Sequence, residues 1–327
     1  MKKRVWYVVL VLMLIVSGCR PSSEDVRIKI NRMEQSLFSI PVDSVAVFVP
    51  RLQQQYGELL DMYGIGVIGI GASDEAYYSE RLTEFLTDSY MHGAYRKVSE
   101  MYPDLKDIES GLSGAFTNYR KEFPDRNVPS VYTLISGFNQ SMVTADTILG
   151  IALDKYLGPD AEAYSLLGLA NYQRRTTDRK YIVPDCMRAW ISTEFPYNDS
   201  IDNALNNILY EGKIVYGIQK MLPDMPDSLI FGYTPEQMRW CENNTRQMWT
   251  FLVENKLLYV TDYMTINKLV APAPFSSLFT RESPGRAAVW LGYRIILSYM
   301  KQTNVTLEEL LSDDDYQKIL AKAKFKP

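Results

Sequence analysis

A glutamate followed by a glycine, Glu211-Gly212, lies in the middle of the segment NNILYEGKIVYGIQKMLPD, residues 206–224. The apolar residues of this segment recur at helical spacing, which predicts an amphipathic helix that carries the pair. Several families of zinc peptidase take a metal ligand from a glutamate on a helix of this kind. The first chemistry to consider is therefore zinc-dependent hydrolysis, with Glu211 as the third ligand.

The other zinc ligands of such a site are missing from the sequence. Two histidines at positions i and i+4 of an earlier helix would bind the metal, and a glutamate between them would be the general base. The helix expected in that place, residues 183–195, contains no histidine, and His92 is the only histidine in the chain. Asp185, Glu194 and Glu211 could gather as carboxylates, but carboxylates alone suit Ca²⁺ or Mg²⁺ rather than hydrolytic zinc.

We therefore predict a zincin-like architecture without its metal site, and with no cofactor and no catalytic residue. The three carboxylates are expected to be helix caps or members of ion pairs. Because a buried carboxylate without a partner is costly, Glu211 is predicted to be buried against a cationic side chain. The alternative is a hydrolase with an unconventional site.

Nucleophilic catalysis has little support in the sequence. It contains neither a Gly-x-Ser-x-Gly segment nor a phosphate-binding loop of the Walker type. Cys186 and Cys241 could act as nucleophiles only with His92 as their base. The same two cysteines could instead form a disulfide after export, or be small core residues, and the sequence leaves both alternatives open.

The N-terminus has the features of an exported lipoprotein. The basic MKKR and the apolar VWYVVLVLMLIV lead into LIVSGC, residues 14–19, which resembles a bacterial lipobox. The resemblance implies that Cys19 is lipidated on its sulfur and becomes the mature N-terminus, anchored to a membrane by its acyl chains. Residues 1–18 are then the signal peptide, residues 19–27 a flexible tether, and residues 28–327 a single domain.

The charge of the chain excludes one class of partner. The formal net charge is −4, and loss of Lys2, Lys3 and Arg4 with the signal peptide brings it to about −7. Nucleic-acid binding requires a basic surface and is not expected. Electrostatic adhesion of the whole protein to anionic lipid is disfavoured for the same reason.

The pattern of the domain predicts a predominantly helical α+β fold with one small β-sheet. Two strand-like runs, residues 128–137 and 146–158, are rich in β-branched and aromatic residues, and the short connection FNQSMVTA separates them. Ser73, Thr234, Ser283 and Thr306 are the expected starts of helices, by their capping chemistry. The helices are predicted over residues 74–101, 105–123, 183–195, 201–223, 233–259, 283–302 and 306–311.

The helix predicted over residues 233–259 has two further features. Glu242 and Arg246 are four residues apart, a spacing at which an ion pair stabilises a helix by about 0.2–0.5 kcal/mol. Trp240 and Trp249 lie on roughly opposite sides of the helix. One is expected in the core and one near the surface, where it could anchor a protein partner; the alternative places both in the core.

Long blocks of the sequence resemble the gliding-motility lipoprotein GldB family of Bacteroidota. The resemblance implies a membrane-anchored envelope lipoprotein exposed to the periplasm, with protein partners in the motility or secretion machinery. Glu211, Gly212, Trp240, Glu242 and Arg286 match the family's pattern, which assigns them no catalytic role. The blocks, in order, are VPSVYTLISGFNQSMVTADTILGIALDKYLG, YQRRTTDRKYIVPDCMRAW, LYEGKIVYGIQKMLPD, YTPEQMRWCENNTRQMWTFL and PGRAAVWLGYRIILSYM.

The leading hypothesis is a non-catalytic assembly or interaction component of the cell envelope. An envelope hydrolase and a ligand-binding lipoprotein are the alternatives. Four triplets of aspartate, serine or threonine, and an aliphatic residue also resemble the O-glycosylation signal of exported Bacteroidota proteins. Their acceptor residues would be Ser44, Thr147, Ser200 and Ser228.

Overall fold

The computed structural model describes residues 25–327, so the signal peptide, Cys19 and most of the predicted tether lie outside the described residues. Helices make up most of the described chain and its strands form one four-stranded sheet, which confirms the predicted α+β class. No helix within residues 25–327 has the length and apolar character needed to cross a membrane. The strands are β1 (Ile30–Arg32), β2 (Ser130–Leu134), β3 (Met142–Ala145) and β4 (Ile148–Ala152).

The α-helices are numbered here in chain order. The first half of the chain contains α1 (Met33–Phe38), α2 (Val45–Tyr56), α3 (Glu58–Met62), α4 (Tyr78–Thr87), α5 (Ser89–Met101), α6 (Lys106–Glu122), α7 (Glu162–Leu166) and α8 (Asn171–Arg174). The second half contains α9 (Ile182–Glu194), α10 (Ala204–Met221), α11 (Asp227–Phe231), α12 (Pro235–Glu254), α13 (Tyr263–Val270), α14 (Ala287–Gln302), α15 (Leu307–Ser312) and α16 (Tyr316–Ala323).

The sheet has the strand order β1-β2-β4-β3, in which β2 lies parallel to both β1 and β4. The two predicted strands are present as β2 and β4. A further strand, β3, lies within the connection FNQSMVTA, and it pairs antiparallel with β4, from Met142 opposite Ile151 to Ala145 opposite Ile148. A four-residue edge strand carries too little alternation to be recognised in a sequence.

The two faces of the sheet are covered by different helices, which is why every residue of β4 is buried. Ile148 and Ala152 belong to a hydrophobic cluster built mainly from α1 to α4. Leu149 and Ile151 belong to the larger cluster that includes the helices of the second half. The alternation of side chains along the strand thus divides the core into two parts.

The helix starts show which capping predictions were correct. Thr234 and Thr306 form the capping boxes of α12 and α15, as predicted. Ser73 is not a cap, because α4 begins at Tyr78, and the predicted helix 74–101 is divided at Asp88, whose carboxylate accepts hydrogen bonds from the backbone amides of the next turn. Ser283 is not a cap either, since α14 begins only at Ala287.

The side chains singled out on α12 are only partly in the core. Trp240 and Trp249 are both partly buried and pack at the edge of the larger cluster. The structure therefore matches neither predicted arrangement, one tryptophan in the core with the other near the surface, or both in the core. Glu242 and Arg246 do not form the predicted ion pair within the described chain. Arg246 Nε instead donates to the carbonyl oxygen of Pro327 at 3.3 Å.

Candidate functional site

The glycine of the Glu211-Gly212 pair lies where α10 and α14 cross. A Cβ atom on Gly212 would lie 2.3 Å from the carbonyl carbon of Gly292, and a Cβ on Gly292 would lie 1.9 Å from the carbonyl oxygen of Ile208. The two helix backbones therefore touch, which only glycine permits. This contact fixes where Glu211 stands relative to the start of α14.

Arg286 precedes the first residue of α14 and adopts a left-handed conformation, with φ of 62°. Its backbone carbonyl accepts a hydrogen bond from the Tyr233 hydroxyl at 3.1 Å. Its Nε donates to the carbonyl oxygen of Val270 at 3.1 Å, at the end of α13. Non-glycine residues pay a conformational cost at positive φ. Here these two hydrogen bonds hold Arg286 in place and direct its guanidinium group toward α10.

Glu211 is held by two arginines. Its Oε2 accepts from Arg188 Nη1 at 3.0 Å and from Arg286 Nη2 at 2.6 Å. The three side chains are 21–26% exposed, so they are largely but not wholly buried. The prediction of a cationic partner for Glu211 is confirmed, and we name Arg188, Glu211 and Arg286 the Arg–Glu–Arg cluster.

The electrostatics of the cluster are set by burial and by its own charges. Burial raises the pKa of Glu211, but Arg286 and Arg188 outweigh this effect and leave the pKa below its ordinary value. Burial lowers the pKa of Arg188, and the positive charge of Arg286 lowers it further. Glu211 is therefore a stably ionised carboxylate between two cations, which makes it a structural ion rather than a proton carrier.

A second carboxylate, Asp185, lies on α9 one turn before Arg188. Its Oδ2 accepts a hydrogen bond from the Tyr156 hydroxyl at 2.9 Å. Burial raises the pKa of Asp185 to about 6, although Tyr156, Arg188 and Arg286 all act in the opposite direction. Asp185 is thus the group near the cluster whose charge changes in the mildly acidic range.

The raised pKa of Asp185 predicts a pH-dependent effect on stability. A carboxyl group whose pKa is higher in the folded than in the unfolded state stabilises the fold below the unfolded value near 3.8, and this contribution is lost as pH rises through about 6. The natural protein therefore loses stability from Asp185 as the pH rises, and Asp185→Asn does not. The free energy of unfolding of Asp185→Asn, relative to that of the natural protein, should increase by about 2 kcal/mol from about pH 4 to about pH 7. Urea unfolding at both pH values measures this change. Asp43→Asn, an exposed control, should show no such gain; an equal gain in both variants would contradict the prediction.

The remaining predicted site residues lie apart from the cluster. Glu194 pairs with Arg126 at 2.8 Å and accepts from the Tyr119 hydroxyl at 3.1 Å, as expected for a paired charge. On α12, Trp240 is partly buried and Glu242 is exposed, and neither hydrogen bonds to Glu211 in the described part of the chain. Of the five family-pattern residues, the structure brings together Glu211, Gly212 and Arg286.

The disulfide considered for Cys186 and Cys241 is not formed, since both are free and buried. Burial raises the pKa of the Cys241 thiol to about 12 and that of Cys186 well above its ordinary value. Because the thiolate is the reactive form, neither cysteine is poised as a nucleophile. Both are small core residues, the second alternative left open by the sequence.

The glycosylation acceptors differ in accessibility. Thr147 is exposed in the two-residue turn between β3 and β4, and Ser200 is exposed before α10. Ser44 and Ser228 are partly buried. Glycosylation stays a prediction, and Thr147 and Ser200 are the acceptors that an enzyme could reach most readily.

Sequence reasoning missed Arg188 and Tyr156. Arg188 follows Asp185 by three residues, a spacing that places both on one face of α9, and this was the available signal. Its partner Glu211 is 23 residues further along the chain. Tyr156 had no comparable signal, because it reaches Asp185 from the segment after β4.

Fold and site together define a predominantly helical α+β protein with an arginine-bound glutamate at a helix crossing. Within residues 25–327, no three His, Cys, Asp or Glu side chains are grouped as metal ligands. A family model described as gliding motility protein GldB matches residues 20–327, and the chain therefore belongs to the GldB family. Neither a curated protein nor a solved structure matched the chain. The zincin-like architecture stays a prediction.

Proposed function

We propose that this protein is a lipid-anchored envelope lipoprotein whose domain is a non-catalytic assembly or interaction component of the motility or secretion machinery. The observation that carries the proposal is the double ion pair on Glu211. The residue expected to bind metal in a peptidase is bound instead by two guanidinium groups. Membership of the GldB family supports the connection with gliding motility.

The Arg–Glu–Arg cluster is poorly suited to metal-dependent hydrolysis. Both arginines donate to the same oxygen, Oε2 of Glu211, so a divalent cation at that oxygen would meet two positive charges. Arginine remains charged at any physiological pH and has no acceptor atom, so it cannot replace a histidine as ligand or general base. These contacts support a structural role for Glu211.

Metal analysis separates this proposal from the hydrolase alternative. Purified protein is incubated with Zn²⁺ or Ca²⁺, freed of excess metal and analysed by mass spectrometry for bound metal. We expect no stoichiometric metal. One metal ion per chain, lost in Glu211→Gln and retained in the exposed control Glu242→Gln, would overturn the non-catalytic proposal.

If Cys19 carries the lipid anchor, the variant Cys19→Ala should no longer be found in the membrane fraction of cells. Without the cysteine sulfur no acyl chain can be attached, and a lipid anchor contributes about 0.8 kcal/mol of membrane affinity per buried methylene group. Fractionation of cells and immunoblotting measure the distribution. The control Ser23→Ala, four residues away in the tether, should remain with the membrane. Retention of Cys19→Ala in that fraction would count against lipidation at Cys19.

The interaction role is tested by crosslinking in the native envelope followed by affinity purification. We expect a reproducible set of envelope proteins to copurify with the natural protein and to be depleted with Cys19→Ala, which is displaced from the membrane. Glu211→Gln, assayed at a temperature where it is folded, should retain the same set. Failure of the natural protein to enrich any envelope protein over Cys19→Ala would contradict the interaction role.

A further inference from the structure

We propose that a second site, distant in sequence from Glu211, binds the phosphate group of a small ligand or a lipid headgroup. The site is a cleft of about 700 Å³, which falls in the size range of small-molecule pockets. One wall is the segment around α8, and the other is the chain from α11 to the start of α12. We name it the basic cleft, after its cationic lining residues Arg174, Arg175 and Lys180.

The cations of the basic cleft form no ion pairs with carboxylates of the described residues. None of the three lies within 4.0 Å of a carboxylate oxygen in residues 25–327, whereas seven other arginines in this part of the chain form such pairs. Arg174 bonds to neutral oxygens of Ser165 and Asn171. Lys180 is exposed, with its ammonium group over the Tyr181 ring. Their charges remain available to an anion.

Arg175 gives a more specific indication. Its Nη2 donates to the carbonyl oxygen of Gly232 at 3.0 Å, which fixes the guanidinium plane against the opposite wall of the cleft. Its Nε is buried and has no hydrogen-bond partner among the described residues. A guanidinium group held in one orientation presents paired N–H donors, which match the spacing of two oxygens of a tetrahedral phosphate group.

Two carboxylates in the cleft limit the charge of the ligand. Asp160 and Asp178 also line it, and Asp178 Oδ1 accepts from the backbone amide of Lys180 at 3.1 Å. With three cations and two anions, the cleft suits one phosphate group rather than a polyanion. The start of α12 adds little, because Thr234 and Gln237 already cap each other.

Exposed leucines beside the cleft indicate how a lipid could reach it. The bond from Arg174 Nη1 to Ser165 Oγ, 2.8 Å long, brings the end of α7 to the rim of the cleft. Leu166 and Leu167 follow directly and are 74% and 53% exposed. Apolar side chains next to cations are suited to a membrane surface, with the cations on headgroup phosphates. A soluble phosphate ester would need only the cations.

The test uses the mature chain with Cys19→Ala, so that binding does not depend on the lipid anchor. Calorimetry measures binding of glycerol 3-phosphate, with acetate as a singly charged comparison. Sedimentation measures binding to phosphatidylcholine vesicles with and without phosphatidylglycerol. We expect at least one phosphate probe to bind, and the double variant Arg174→Gln/Lys180→Gln to weaken it about tenfold per lost charge-assisted hydrogen bond.

The matched control is Arg120→Gln/Lys121→Gln, which removes two exposed cations from α6 and should bind like the natural protein. If the phosphate belongs to a lipid, Leu166→Ser/Leu167→Ser should abolish binding to vesicles and leave binding of glycerol 3-phosphate unchanged. If the ligand is soluble, this variant should change the binding of neither probe. If the double variant does not fold, the exposed single substitution Lys180→Gln is used in its place to test for weaker phosphate binding. Failure of both phosphate probes, equal affinity for acetate, or equal weakening by the α6 control would overturn the proposal.

Discussion

Gly292→Ala is expected to destabilise the protein by about 3 kcal/mol or more, at the upper end of the cost of overpacking. The new methyl group would lie 1.9 Å from the carbonyl oxygen of Ile208, which belongs to the backbone of α10. A backbone atom cannot rotate away as a side chain can, so α10 and α14 must separate. Unfolding in urea followed by circular dichroism measures the loss. Gly212→Ala, which faces the same crossing, should behave alike.

Gly114→Ala is the matched control for the helix-crossing prediction. Gly114 lies on the exposed side of α6, and no atom would lie within 4 Å of an added Cβ. Because alanine is the better helix former, the free energy of unfolding of this variant should increase by about 0.5–1 kcal/mol. If Gly292→Ala were as stable as Gly114→Ala, the two helix backbones could not be in contact as described.

Glu211→Gln is expected to cost about 2 kcal/mol of stability at neutral pH. Removing one partner of a fully buried ion pair costs about 3–5 kcal/mol, and an exposed pair contributes about 0–1 kcal/mol. The Arg–Glu–Arg cluster lies between these limits, because its side chains are about a quarter exposed. The variant also leaves Arg188 and Arg286 facing each other as uncompensated cations. Urea unfolding of the natural protein and the variant measures the difference.

Two comparisons make the result specific to the cluster. Glu242→Gln removes an exposed carboxylate from α12 and should change stability by less than about 0.5 kcal/mol. Arg188→Gln should cost about 1 kcal/mol less in the Glu211→Gln background than in the natural protein, because its partner is already gone. Strict additivity of the two substitutions would show that the ion pair contributes nothing to stability.

These two predictions concern one structural unit. The glycine contact brings α14 against α10, and the start of α14 supplies the arginine that neutralises Glu211. Separation of the helices would therefore also separate the charges. The sequence Glu-Gly, which resembles part of a metal site, is explained here by helix packing and charge compensation.

The local elements of the fold could be predicted because their signals are local. Thr234 with Gln237 and Thr306 with Glu309 form capping boxes, in which hydroxyl and side-chain acceptor satisfy backbone amides only three residues apart. The breaks were less predictable. Asp88 divides a periodic helix because its carboxylate caps the helix that follows. The helix α14 starts four residues after Ser283, because Gly285 packs closely against the backbone of Ala273 and Arg286 forms hydrogen bonds with Val270 and Tyr233.

The sequence by itself determined the predominantly helical α+β class and that Glu211 needs a cationic partner. Helical periodicity and the cost of a buried charge are properties of the chain that do not require knowledge of its neighbours. Only the tertiary structure decided which cations pair with Glu211, that Cys186 and Cys241 stay apart, and that three cations line one cleft. These facts depend on contacts between segments distant in sequence, which are fixed when helices and strands pack together.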